Sequence, residues 1–326
     1  MKINISAISA ATSLILTACA GGGVSEPKVP VSIPTAQPIA NIKLSDESSA
    51  IKTINTLSGK GGSLHEAELE VKTSWGTSYT DKQYVYQTPS GNYYNIGTYT
   101  DPMVPSSSSP SYAVRTRHEG QPLSEGGKLF ICCTEEVRYA FNTTVPVIDH
   151  KYVKYGAWMG ANGEVDLFVG GKPVGTVKNA TAEQNTAKGK TTYEVWAVRV
   201  RNGNFVTSTY DKGNSTPPQK SLLTANFNTN KLGGTILGNA DYGPDVVMKD
   251  VGINGVDFSG TAESDGKNGK VEGKFFGQFK GGDKTEVSIG GKVTFDADKS
   301  LDTVFGGVEN SSDRNTTDTS LTPVSQ

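Results

Sequence analysis

Between Thr191 and Phe305 the chain repeats a single pattern, and this pattern limits the fold more than any other feature. Short stretches of alternating apolar and polar residues are separated by turn signals: Thr191–Arg201, Asn204–Tyr210, Ser221–Asn228, Lys231–Leu237, Val246–Val251, Val256–Ala262, Val271–Phe279, Glu286–Phe295 and Leu301–Phe305. The links are Asn202-Gly203, Asn230, Asp265-Gly266 and Asp296-Ala297-Asp298, residue types that supply left-handed or Asx-turn geometry. Period-two alternation with hairpin-scale links predicts an antiparallel sheet. Eight or nine strands in succession predict one that closes into a barrel and so removes its own edges. A barrel of this size is filled by side chains or holds one small ligand.

The first half is less regular but also reads as β. Glu66–Thr73 alternates, and Tyr79, Tyr84, Tyr86, Tyr93, Tyr94 and Tyr99 crowd a stretch broken by the turn Pro89-Ser90-Gly91-Asn92, which predicts a hairpin with an aromatic face. Leu129–Cys133 reads as a short buried strand. Tyr152–Met159 and Glu164–Val169 read as a pair around Asn162-Gly163. Asp101–Ser111, with Pro102, Pro105, Pro110 and a serine run, is a loop. The division that follows is a signal peptide over 1–18, an extended linker over 19–50, a first β-domain over 51–185, the barrel over 186–309 and a frayed polar tail over 310–326.

The first eighteen residues are an export signal. Lys2 precedes an apolar run from Ile3 to Leu16 that is too short to span a bilayer, and Leu16-Thr17-Ala18-Cys19 is a lipobox. Cleavage before Cys19 and acylation of its thiol make a lipid-anchored protein. Ala20 in place of an acidic residue points to the outer membrane. Of three cysteines, lipid takes one. Cys132 and Cys133 then close on each other in a strained vicinal disulfide, the favoured reading in an oxidising compartment, or stay reduced as small buried residues, or pair with another chain.

A net charge of −2 leaves no basic footprint for nucleic acid. The sequence has no Walker loop, dinucleotide fingerprint, His-Glu-x-x-His or Gly-x-Ser-x-Gly, so no catalytic constellation is expected. Cys132-Cys133 lacks a second cysteine pair, so no metal site is expected there. His65, His118 and His150 stand alone, each an ordinary loop histidine or a haem axial ligand. The tyrosines serve either a partner or the core, with alternate residues facing opposite ways.

Taken together, the lipobox, the pair Cys132-Cys133 followed by Phe141, Gly273-Lys274-Phe275-Phe276-Gly277, Glu286, Gly290-Gly291 and Val304-Phe305-Gly306 resemble the surface lipoproteins of Gram-negative bacteria typified by transferrin-binding protein B. These pair a β-sandwich handle with an eight-stranded barrel. The spacing from Gly277 to Gly290 is longer than the family's, Asn142 stands where a glycine often follows the phenylalanine, and there is room for one lobe only. In size and layout the chain is similar to the one-lobed haemoglobin–haptoglobin utilisation lipoproteins.

The resemblance implies an all-β, non-enzymatic co-receptor. It would bind host haemoglobin, alone or with haptoglobin, and present it to a TonB-dependent outer-membrane transporter, with haem carried by the partner and no cofactor of its own. The alternatives are a carrier that binds haem directly, an immune-evasion protein that binds a complement regulator, and a structural envelope lipoprotein with no host ligand. On composition, the expected partner contacts are Tyr84, Tyr86, Tyr93, Tyr94 and Tyr99 of the hairpin, Met103 and Val104 of the proline-rich loop, and Asp211, Pro217 and Pro218 of the Asp211–Pro218 connection.

Overall fold

A computed structural model describes residues 35–55, 61–72, 78–96, 120–132, 152–175, 188–209, 220–279 and 285–325. The first strands are β1 (Lys43–Leu44), β2 (Lys52–Asn55), β3 (Ser63–Lys72), β4 (Ser78–Gln87), β5 (Tyr93–Asn95), β6 (Gln121–Pro122), β7 (Lys128–Cys132), β8 (Val153–Met159) and β9 (Val165–Gly171). They form two sheets, β1-β3-β4-β5 and β2-β9-β8-β7-β6. Then come β10 (Lys190–Arg201), β11 (Asn204–Thr207), β12 (Leu222–Asn226), β13 (Lys231–Ile236), β14 (Val246–Asn254), β15 (Asp257–Ser264), β16 (Lys267–Phe279), β17 (Thr285–Thr294) and β18 (Thr303–Asp313). β18 pairs back onto β10, so the wall is a closed eight-stranded antiparallel barrel. Among the described residues, no helix is long and apolar enough to cross a membrane.

The ambiguity between eight and nine strands has a structural cause. β11 pairs with the last four residues of β10 and β12 with its first five. Ser208 donates to the Ala197 carbonyl, and Val195 donates to that of Ser221. β11 and β12 are therefore two halves of one wall strand, interrupted between Ser208 and Ser221.

Three apolar cores stack in layers, and strand alternation sorts residues among them. In β10, Tyr193, Val195 and Ala197 point into the barrel, while Trp196 and Val198 point out. In β7, Leu129 and Ile131 face the core between the two sheets, while Phe130 and Cys132 face the barrel wall. The β7–β9 sheet is thus covered on both faces, which is why β8 and β9 read as nearly unbroken apolar runs.

The motifs at the end of the chain build this junction. Val304 faces the sandwich and Phe305 fills the barrel. A Cβ at position 306 would come within 2.3 Å of the Tyr155 ring, so only glycine lets the two bodies meet there. Phe275 and Phe276 divide in the same way, one inward and one toward the sandwich.

Two expected boundaries differ from what is found. The supposed linker is already built into the sandwich from Ala36, which bridges Leu123, and Ile39 donates to the Tyr93 carbonyl. The supposed frayed tail starts inside β18 and then lies along the wall. Lys190 pairs with Asp318 at 2.6 Å, Asn226 donates to the carbonyls of Asp318 and Ser320, and Val324 donates to Thr192 Oγ1. Composition set both segments outside the folded domains, but Ala36 and Ile39 donate to main-chain carbonyls of the sandwich, and main-chain groups of the tail satisfy the buried side chains of Asn226 and Thr192.

Candidate partner-binding surface

The two ends of the molecule are built differently. The near end, where Ala36 joins the sandwich, carries the turns 88–92, 123–127 and 160–164 together with the barrel connections 202–203, 237–245, 265–266 and 295–302. The stacked pair Phe130–Phe205 and the bond from Lys292 Nζ to the Asn55 carbonyl align this end of the sandwich with this end of the barrel.

Buried and half-buried polar groups pin the near end. Glu125 accepts from Ser90 and Asn92, tying the β4–β5 turn to the β6–β7 turn. Fully buried Asp166 accepts from Asn55 Nδ2 (2.6 Å), Gly62 N (3.0 Å) and the Tyr86 hydroxyl (2.9 Å) through one carboxylate oxygen. In the barrel mouth Arg199, also fully buried, donates to Leu301 O, Thr303 Oγ1, Tyr242 O, Pro244 O and Ser264 Oγ, with its guanidinium 4.0 Å above the Tyr242 ring. One side chain thereby holds three connections in place. A shallow cleft of about 420 Å³ beside it is lined by Arg201, Asn202, Asn204 and Asp241, and Arg201 bonds the Asp241 carbonyl.

The far end is where the chain leaves the described framework. β3, β5, β7, β9, β11 and β16 all run from the near end toward the far end, and each leads into one of the stretches outside the described residues. Only β2, before 56–60, runs the other way. β3 and β4 also outrun their neighbours here, because β1 stops opposite Glu68 and β5 opposite Val85.

Of the expected contacts, Tyr86 and Tyr94 are corrected. Both are fully buried between the two sheets, Tyr86 stacked 4.2 Å from Phe168, so neither is available to a partner. The pleat turns Tyr86 toward Asp166, and burial followed by that carboxylate's charge pushes its phenol far above the usual range. Tyr84 is half-buried under Lys154, its phenol pushed up to about 12, mainly by burial. Tyr93 is half-buried, edge-on to His65. Tyr99, Met103, Val104, Asp211, Pro217, Pro218, Cys19 and Cys133 lie outside the described residues. Cys132 is disulfide-bonded, which removes the reading of it as a reduced thiol.

His65 has both ring nitrogens within reach of serine hydroxyls, Nε2 at 2.7 Å from Ser63 and Nδ1 at 3.3 Å from Ser48, and burial lowers its pKa. His118 and His150 lie outside the described residues. No cluster of three His, Cys, Asp or Glu able to hold a metal occurs among the described residues. Sequence reasoning passed over Arg199, although its position continues the inward series 193, 195, 197 and so marks a charge inside the barrel.

Comparison with known proteins agrees with this architecture. Residues 82–324 match the family model for HpuA, described as haemoglobin–haptoglobin utilisation, porphyrin transporter. A search of curated protein sequences returned no match. Among solved structures, HpuA from Kingella denitrificans in complex with human haemoglobin is similar at 34% identity and a TM-score of 0.71, over 90% of this chain and 100% of that one. The apo haemoglobin receptor HpuA from the same organism gives the same values. Transferrin-binding protein B from serogroup B Neisseria meningitidis is more distant, at 14% identity and a TM-score of 0.36, over 76% of this chain and 52% of that one. The model match and the identity over nearly the whole length place the chain in the HpuA family of haemoglobin–haptoglobin utilisation proteins.

Proposed function

We propose that this protein is a lipoprotein of the outer-membrane surface, tethered through Cys19, that binds host haemoglobin, alone or with haptoglobin, and presents it to a TonB-dependent transporter for haem uptake. The observation that carries this reading is the 34% identity, over the full length of the solved chain, to the HpuA that was crystallised with human haemoglobin. The far end is the binding end, since rigid sheets there deliver their longest connections to one side. In the sequence Tyr99, Met103 and Val104 come after β5, and Asp211, Pro217 and Pro218 after β11, two of the strands that run to this end, and they are the proposed contacts. The Cys132 disulfide is the vicinal bridge to Cys133.

The interior of the barrel favours this over direct haem carriage. Tyr193, Phe258, Phe275, Phe295, Phe305 and the Arg199–Tyr242 stack occupy it as fully or almost fully buried side chains. A flat macrocycle would have to displace packed aromatics.

The test is capture of the full chain, purified in detergent, by immobilised human haemoglobin, haemoglobin–haptoglobin and transferrin. The expected result is capture by the first two, with no Soret band moving to the chain. Absence of capture by haemoglobin and its haptoglobin complex overturns the reading, and a Soret band on the chain alone replaces it with the haem carrier. Intact mass before and after alkylation tests the vicinal disulfide, which two alkylated thiols at Cys132 and Cys133 would exclude.

A further inference from the structure

We infer that the projecting β3–β4 ribbon is a contact element for the globin surface, with Tyr79 as its anchor. The inference rests on the haemoglobin-binding reading above. β3 and β4 pair in unbroken register from Ser63↔Gln87 to Lys72↔Ser78. The four rungs beyond Glu68 have no neighbouring strand on either side among the described residues. Ser78, Tyr79, Thr80, Asp81 and Lys82 are exposed one after another, although alternate residues of a packed strand should be covered. A two-stranded ribbon open on both faces is marginal in water, so its extension is a cost that a bound partner offsets.

Only two large hydrophobic side chains are exposed among the described residues, Tyr79 at 52% and Leu44 at 37%. Register puts both on one face: Leu44 lies opposite Ala67 and Tyr79 opposite Val71, four residues further along the same strand, with half-buried Leu69 between them. The charges at the base of the ribbon are already paired, Lys43 with Glu68 and Lys82 with Glu66. Beyond them, Asp81 shares the Tyr79 face opposite Leu69, accepting from Lys82 N and Gln83 Nε2, while exposed Glu70 lies on the other face. The group at the end of the row is an aromatic ring with a polar tip beside an apolar neighbour, which suits a protein surface, and its removal takes away no charge.

The size of the patch selects the occupant. The four free rungs offer on the order of 150 Å² per face, far short of the roughly 800 Å² per partner that a stable interface needs. A second copy could not be held by this face alone. Continuity with the far end makes it one part of a larger surface, and the occupant is therefore the globin that the far end binds.

The experiment measures binding of the full chain in detergent to human haemoglobin for the wild type, Tyr79→Ala and Tyr79→Phe, each at low and high salt, with size-exclusion light scattering of all three. Tyr79→Ala is expected to weaken binding by about 30-fold with an unchanged melting temperature, and Tyr79→Phe to stay within about threefold. The loss should be the same at both salt concentrations. A wild type that does not bind haemoglobin sinks the functional reading itself. A wild type that binds while Tyr79→Ala binds equally well sinks this inference alone, as does a wild-type dimer that Tyr79→Ala makes monomeric with haemoglobin binding intact.

Discussion

The near and far ends of this protein use the same strands for opposite purposes. At the near end, polar side chains tie one element to the next: fully buried Arg199 across three barrel connections, fully buried Asp166 within the sandwich, and half-buried Glu125 between two turns. At the far end, strands run past their neighbours and lead into the longest connections. The difference shows how a β-scaffold separates its tasks. Polar groups tied across several elements fix the geometry of one end, and the other end carries the long connections that the proposed binding role calls for.

Substitutions at the near end should therefore cost stability and spare binding. Arg199→Met has the largest expected effect. It strands the carbonyls of Leu301, Tyr242 and Pro244 in a buried mouth and should cost about 3–5 kcal/mol in urea unfolding. Asp166→Ala removes the acceptor shared by Asn55, Gly62 and Tyr86 and should cost about 2–3 kcal/mol by the same measurement. In both variants the folded fraction should bind haemoglobin within about twofold of wild type, well below the tenfold that 1.4 kcal/mol represents. A larger loss would break the division of labour.

Gly306→Val probes the joint between the two bodies. The added side chain meets Tyr155, so the sandwich and barrel should separate at a cost of about 1–3 kcal/mol, read as a lower melting temperature.

The smallest effect is one of pH, at the tail. Lys190, with help from Ser320, holds the Asp318 carboxyl down to about 2. A folded value below the unfolded one means that the ion pair contributes above the ordinary carboxylate range and is lost as pH falls through about 2. Proteolysis within 314–326 should therefore be unchanged between pH 7 and 5 for the wild type and already faster there for Asp318→Asn.

Much of the barrel was legible because strand alternation and turn chemistry are local. Tyr193, Val195 and Ala197 against Trp196 and Val198 can be sorted by counting alone. Counting could not show that β11 and β12 are one wall strand, because a long connection between two strand-like stretches does not tell whether they share one place in the ladder. It also could not assign Tyr86 and Tyr94 to the core, since a tyrosine presents the same ring and hydroxyl to a partner as to Asp166 or Phe168. Tyr79 was passed over for a related reason. What distinguishes it is the early end of β1 and β5 on either side, a property of register that composition does not carry.

Amide hydrogen exchange of the full chain, with and without human haemoglobin, tests the central claim most directly. Binding at the far end should slow exchange in 78–82 and in the stretches that follow β5, β7 and β11, and leave the turns 88–92, 160–164 and 202–203 unchanged. Protection concentrated in those three turns, with 78–82 unaffected, would place the globin at the near end and contradict the account.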